Sequence, residues 1–202
     1  MLKFDRLTAT AAPLPLANVD TDMVIPARYM TSLTRDGLGR HLFHELRYRD
    51  DGAERDSFIL NRGPCRNAQI LIAERNFGCG SSREHAVWAL TDFGIRCVIA
   101  PSFGDIFANN ARKNGLLLVR FPDALCQRLR REVELAQFAP ITVDLAEQRI
   151  DLASGESLAF AVDPDDRRTL MEGLDDIDRT LRHAAAIARF ETARAARSVG
   201  DS

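Results

Sequence analysis

The run Arg75-Asn76-Phe77-Gly78-Cys79-Gly80-Ser81-Ser82-Arg83-Glu84-His85-Ala86 gathers glycines, hydroxyls and a guanidinium at one point of the chain. Gly78 and Gly80 can take positive φ and let a ligand approach the backbone closely. Ser81 and Ser82 add hydroxyls, and Arg83 adds a planar fork that matches a carboxylate in bidentate fashion. If the run opens a helix, its free N–H groups and dipole favour the same anion. A serine there could also act as a general base, provided N–H groups and a cation stabilise its alkoxide away from water. The same residue types also fit a serine-capped turn with a surface Arg83–Glu84 pair, and the types alone leave both readings open. The phosphate-binding spacings GxxxxGK[ST] and GxGxxG are absent, as is the nucleophile elbow GxSxG. Glu84 and His85 read as groups that orient Arg83 or cap the helix rather than as metal ligands, since no second ligand set accompanies them.

A second polar run, Asn18-Val19-Asp20-Thr21-Asp22, is rich in side chains that bond their own backbone and so favour turns and caps. The four cysteines, Cys65, Cys79, Cys97 and Cys126, are irregularly spaced and form no CxxC pair. Neither zinc nor an iron–sulfur cluster is therefore expected on this chain. Cys65, Cys97 and Cys126 read as reduced core thiols.

Periodicity indicates the elements that must position these runs. Thr8 to Leu16 alternates as a strand, and Pro13 and Pro15 assign it to an edge or a bulge. Gly37 to Tyr48 carries Leu38, Leu42, Phe43 and Leu46 at helical spacing, and Tyr48 to Ser57 is a charged, solvated loop. Gln69–Ala73, Ile95–Ala100 and Leu116–Val119 are short apolar strands. They alternate with helices over Ser82–Asp92, closed by Gly94, and Phe103–Asn114, closed by Gly115. That alternation predicts a parallel sheet covered by helices. A helix over Pro122–Ala136 precedes three alternating strands, Ile141–Leu145, Arg149–Leu152 and Ser157–Val162, with a hairpin turn at Ser154-Gly155-Glu156. A helical tail follows, Pro164–Glu172 and then Asp175–Glu191. The expectation is one α/β domain over residues 1–202, a mixed parallel sheet with covering helices plus a short-stranded β layer, with a helical extension from about residue 164.

Composition narrows the classes. With 28% charged residues, 46% hydrophobic residues and a net charge of −2, the chain has neither the profile of a disordered protein nor the basic footprint of a nucleic-acid binder. No segment approaches the ~20 apolar residues that span a bilayer. Met1–Leu16 lacks the apolar core and cleavage site of a signal peptide, so a cytoplasmic location is expected.

The Asn76–Ala86 run resembles the signature of the swivelling domain of the aconitase superfamily. Asn18–Asp22 followed by Ile25-Pro26-Ala27 resembles the second signature of that domain. Arg35-Asp36-Gly37-Leu38-Gly39, Ile99-Ala100-Pro101-Ser102-Phe103 and Gly173-Leu174-Asp175 are similar to the bacterial isopropylmalate isomerase small subunits in particular. The resemblance implies a swivelling β/β/α fold and a heterodimer or heterotetramer with a large subunit that holds a [4Fe–4S] cluster. It implies dehydration of 2-isopropylmalate to 2-isopropylmaleate and rehydration to 3-isopropylmalate, in leucine biosynthesis. It assigns proton abstraction to Ser81 and an acidic active-site position to Asp22. Substrate binding falls to Ser82, Arg83, Arg35, Thr21 and Gly80. Gly104 and Ala108 stand where the family carries alanine and tyrosine. These departures leave open another alkyl-substituted malate, such as dimethylmalate or citramalate, as substrate.

Overall fold

The computed structural model describes residues 1–30, 35–81, 83–174 and 189. A single stretch near the N-terminus feeds two sheets. β1 (Arg6–Ala9) pairs antiparallel with a distant strand, and β2 (Ala11–Pro13), one residue later, enters a parallel sheet. The expected continuous strand over Thr8–Leu16 is thus two strands divided at Thr10. The division follows burial: Ala9 and Ala11 face one core, whereas Ala12 and Leu14 face another. Pro13 ends an edge strand, where a missing N–H costs the ladder little.

α1 (Thr21–Val24) is one turn, capped by Asp20, whose Oδ1 accepts from the Met23 N–H at 2.7 Å. The helix expected over Gly37–Tyr48 is instead a 3-10 turn at Gly39–His41 followed by α2 (His44–Arg47). Phe43 interrupts it in the left-handed region at φ 51°. The apolar spacing does not make one helix because Phe43 is tied elsewhere: its N–H donates to the Val24 carbonyl at 2.8 Å, and its ring is fully buried. Residues 48–57 form a hydrogen-bonded turn, with Tyr48 bridged to Glu54 and the Arg49 N–H donating to the Ala53 carbonyl at 2.8 Å.

The parallel sheet then assembles as expected. β3 (Ile70–Ile72), α3 (Glu84–Phe93), β4 (Cys97–Ala100), α4 (Asp105–Lys113) and β5 (Leu117–Arg120) alternate, and the strand order is β2-β3-β4-β5. Successive residues of a strand face opposite sides. Leu71, Val98 and Ala100 meet α3, α4 and the residue 38–60 segment, while Ile70, Ile72, Cys97, Ile99, Leu117 and Val119 face the opposite core. α5 (Asp123–Leu135) covers that second face with Cys126, Leu129 and Val133.

β6 (Ile141–Asp144), β7 (Arg149–Asp151) and β8 (Ser157–Ala159) complete an antiparallel sheet of order β1-β6-β7-β8. Ile141, Val143, Ile150 and Leu152 turn into the same second core. The layers are therefore antiparallel sheet with α5, parallel sheet, then α3 and α4. α6 (Pro164–Glu172) closes this part of the chain, with Asp163 as its N-cap and Gly173 left-handed at its end. The helix expected over Asp175–Glu191 lies, except for residue 189, outside the described residues. No helix among the described residues is long and apolar enough to cross a membrane.

The buried thiols offer a test of this packing. Burial pushes Cys65 and Cys126 up from 9.0 to about 11, and the fully buried Cys97 is raised further. A thiol whose pKa is raised on folding contributes stability below the unfolded value, and that contribution disappears as pH rises through the folded value. Urea midpoints should therefore fall between pH 9 and 11, and the double substitution Cys65→Ala, Cys126→Ala should flatten that fall. An unchanged slope in the double variant would contradict the burial of these groups.

Candidate active site

β3 ends at Ile72 and the chain runs through Ala73–Arg83 before α3 begins at Glu84, two residues later than its sequence pattern predicts. Arg83, not a serine, occupies the N-cap position, in extended conformation and without a side-chain cap bond. The serine-capped turn is therefore not what the segment forms.

Main-chain contacts hold the loop on both sides. The Gly78 N–H donates to the Val19 carbonyl at 2.7 Å, and the Thr21 N–H donates to the Cys79 carbonyl at 3.0 Å. Asp20 and Cys79 form a parallel bridge, so the two polar runs of the sequence lie side by side. On the other flank the Phe77 N–H donates to the Ser102 carbonyl at 3.0 Å, and the Gly104 N–H to the Phe77 carbonyl at 2.9 Å. Two glycines make this closeness possible. Gly78 has φ +73°, and a Cβ there would stand 2.2 Å from Cγ of Phe107. A Cβ on Gly104 would stand 2.4 Å from the Gly78 carbonyl oxygen.

The side chains of the two runs meet at the surface. Thr21 is buried, and its hydroxyl lies 3.3 Å from the Ser81 carbonyl oxygen and 3.4 Å from Ser81 Oγ. Ser81 itself is exposed. Arg83 donates through Nη1 to Asp22 Oδ1. Gly80, at φ +91°, turns the chain beside Asp20 and Thr21. Ser81, Asp22, Thr21, Arg83 and Gly80 are thus brought together, as expected, whereas Ser82 lies outside the described residues.

Arg35 is placed differently. Its guanidinium lies over the indole of Trp88, 5.3 Å from the ring centroid, on α3 and not on the loop. The sequence reads Glu84 and His85 as orienting Arg83 or capping the helix; their side chains turn instead toward Asn114 and Trp88. Glu84 Oε1 accepts from Asn114 Nδ2 at 2.8 Å, and His85 packs its ring 4.7 Å from that of Trp88. Asn114 and Trp88 were not singled out from sequence. Nothing in a lone Trp at a helical core spacing, or in an Asn at a helix end, marks them beforehand.

Among the described residues no group of three or more His, Cys, Asp or Glu side chains is arranged to hold a metal ion. Cys65, Cys97 and Cys126 are buried and unpaired, and Cys79, half-buried, is unpaired within the loop. Among the described residues the cysteines are dispersed and three of the four are buried, so they do not form the ligand set of an iron–sulfur cluster.

Residues 1–124 match the family described as aconitase C-terminal domain, and residues 127–164 match the family described as LeuD_N. The 3-isopropylmalate dehydratase small subunit of Granulibacter bethesdensis is 55% identical over 194 residues, covering 96% of this chain and 93% of its own. This chain belongs to the 3-isopropylmalate dehydratase small-subunit family. Another member, from Gluconacetobacter diazotrophicus, is 54% identical over 96% of this chain and 94% of its own length. The family fold extends to a crystal structure of a 3-isopropylmalate dehydratase from Methanocaldococcus jannaschii. It matches with a TM-score of 0.67 at 22% identity, over 91% of this chain and 98% of that one.

The glycine packing separates two neighbouring positions. Gly78→Ala should cost about 2–5 kcal/mol, because left-handed strain adds to a collision with Phe107. Gly80→Ala should cost only about 1–2 kcal/mol, since a Cβ there meets Asp20 Cβ at 3.5 Å and Thr21 Oγ1 at 3.8 Å, ordinary contacts. Denaturant midpoints of the two variants test the ranking, and equal losses would refute it.

Proposed function

We propose that this chain is the small subunit of a 3-isopropylmalate dehydratase. It would act with a large subunit to interconvert 2-isopropylmalate and 3-isopropylmalate through 2-isopropylmaleate, in leucine biosynthesis in the cytoplasm. The observation that carries this reading is the meeting of Thr21 and Asp22 with Gly80, Ser81 and Arg83 in front of the α3 N-terminus. Residues 1–202 form one swivelling domain in this reading, paired as a heterodimer or heterotetramer. The [4Fe–4S] cluster belongs to the large subunit, where it supplies Lewis-acid activation of the departing hydroxyl.

The groups of this chain do the rest. Ser81 Oγ takes the proton from the substrate carbon that becomes part of the double bond, and returns a proton there in the reverse direction. Its exposure leaves it accessible to substrate, and the helix dipole and the Arg83 guanidinium favour its anionic form. Thr21 holds the Ser81 residue in register through its hydroxyl. Arg83 binds a substrate carboxylate together with Ser82 and the Gly80 backbone, and Arg35 is assigned a second carboxylate. Asp22 provides the acidic position and holds Arg83 before substrate arrives.

Reconstitution with the cognate cluster-bearing subunit should give activity on 2-isopropylmalate that neither chain has alone. Absence of turnover with an intact cluster would overturn the assignment. Faster turnover of dimethylmalate or citramalate by the same pair would keep the chemistry and replace the substrate. Ser81→Ala should lower kcat by about 10²–10⁴-fold with KM nearly unchanged, as expected for loss of a general base. A change confined to KM would mark Ser81 as a binding residue only.

A further inference from the structure

One helix touches the polar loop at both of its ends. α4 begins beside the loop, and its Phe107 lies beneath Gly78, where a Cβ would stand 2.2 Å from the ring. Asn114 follows the last turn of α4, and its backbone N–H donates to the Asn110 and Ala111 carbonyls, each at 3.1 Å. Its side chain reaches the far end of the loop: Nδ2 donates to Oε1 of Glu84, the first residue of α3, at 2.8 Å. Phe107 and Asn114 are two helical turns apart, so they share a face of α4 and stand about 10 Å apart along it. Gly78 and Glu84 thus rest on two points of one rigid element, and the segment with Ser81 and Arg83 spans between them.

The Asn114 amide is itself oriented. Oδ1 accepts from Trp88 Nε1 at 3.0 Å, and Nδ2 also donates to the Asn110 carbonyl at 2.9 Å. An indole N–H can only donate, so the amide oxygen faces Trp88 and the NH2 group faces Glu84. Glu84 and Trp88 lie one turn apart on the same face of α3. The N-cap before them is Arg83, extended and without a side-chain cap bond. A helix end with no side-chain cap relies on outside contacts for its order, and α4 supplies one through Asn114. A carboxylate one residue from Arg83 opposes the anion assigned to that guanidinium, so electrostatics alone gives Glu84 no useful part at the site.

We propose that Asn114 is the positioning residue for Arg83: by holding Glu84 it fixes the first turn of α3, and with it the guanidinium that receives a substrate carboxylate. This rests on the assignment of Arg83 to a substrate carboxylate made above. Asn114 touches no reacting atom; it acts through Glu84 and the backbone of the N-cap. Phe107 sets the β3 end of the loop, and Asn114 sets the α3 end.

The test uses the reconstituted enzyme with Asn114→Asp, Glu84→Ala and the double variant Asn114→Asp, Glu84→Gln. Asn114→Asp keeps an oxygen for Trp88 but sets a carboxylate against Glu84. It should raise KM for 2-isopropylmalate about 5- to 30-fold with kcat within about threefold. The double variant reverses the polarity of the bond, the new amide donating across the same gap, and should return KM to within about threefold of wild type. Glu84→Ala tests the sign: loss of a negative charge beside the site lowers KM if charge alone matters, whereas loss of the tie raises it. An unchanged or lowered KM in Glu84→Ala would overturn the proposal, as would a double variant no better than Asn114→Asp. Lost stability in Asn114→Asp with KM untouched would reduce Asn114 to a packing contact and overturn it as well. If the wild-type pair turns over no 2-isopropylmalate, the function falls, and the substrate role of Arg83 with it. Amide exchange in the free chain needs no partner. The Ala86 N–H, which donates to the Arg83 carbonyl at 3.2 Å, should exchange about 5- to 50-fold faster in Asn114→Asp and recover in the double variant. Exchange at the wild-type rate in Asn114→Asp would show that this turn does not depend on Asn114.

Discussion

The polar loop is held in place where side chains are missing. Gly78 lies against the Phe107 ring, Gly104 lies against the Gly78 carbonyl, and neither position has room for a methyl group. Because the backbones can touch there, the loop after β3 is fastened by N–H and carbonyl groups to Val19 and Thr21 on one side and to Ser102 and Gly104 on the other. Ser81 is left exposed, and Arg83 is held only by a partly exposed pair with Asp22. A loop carried by its own main chain keeps its position when those side chains change partners, which is what chemistry at a surface requires.

The ion pair between Arg83 and Asp22 belongs to a different energetic class from that packing. Their side chains are 29% and 55% exposed, so the pair is screened by water and is worth about 0–1 kcal/mol. A carboxylate that offered Arg83 a bidentate contact would compete readily against it. Asp22 thus holds the guanidinium by a weak, easily exchanged contact. The rigid part of the site is the backbone, and the exchangeable part is the charge.

Much of this was legible in the residue pattern, for physical reasons. Ile70–Ile72, Cys97–Ala100 and Leu117–Arg120 are short apolar runs separated by helices with glycine ends, and few folds other than a covered parallel sheet bury them. The loop itself was readable because glycine, serine and arginine each have a distinct use beside an anion. What periodicity misjudged were places where a distant contact outweighs local preference. Phe43 sits in a helical pattern yet is drawn out of it by the Val24 carbonyl. The break at Thr10 between β1 and β2 depends on which core each neighbour faces, and no local signal carries that information. The Asn114–Glu84–Trp88 bridge joins two helices through side chains of common type, so it becomes visible only in three dimensions.

The split at Thr10 has a consequence for how the chain comes together during synthesis. β2 finds its partner when Ile70–Ile72 emerges, and the parallel sheet is complete once Arg120 has been made. β1, only one residue earlier than β2, waits for Ile141–Asp144. The sheet that carries the polar loop can therefore close while its N-terminal neighbour still presents an unpaired edge to solvent. Pairings between residues so far apart in sequence are slow to form, since loop closure must precede any gain from contact. The partners of every strand in the sheet beside the site are thus made before the partner of β1, which lies in the antiparallel sheet.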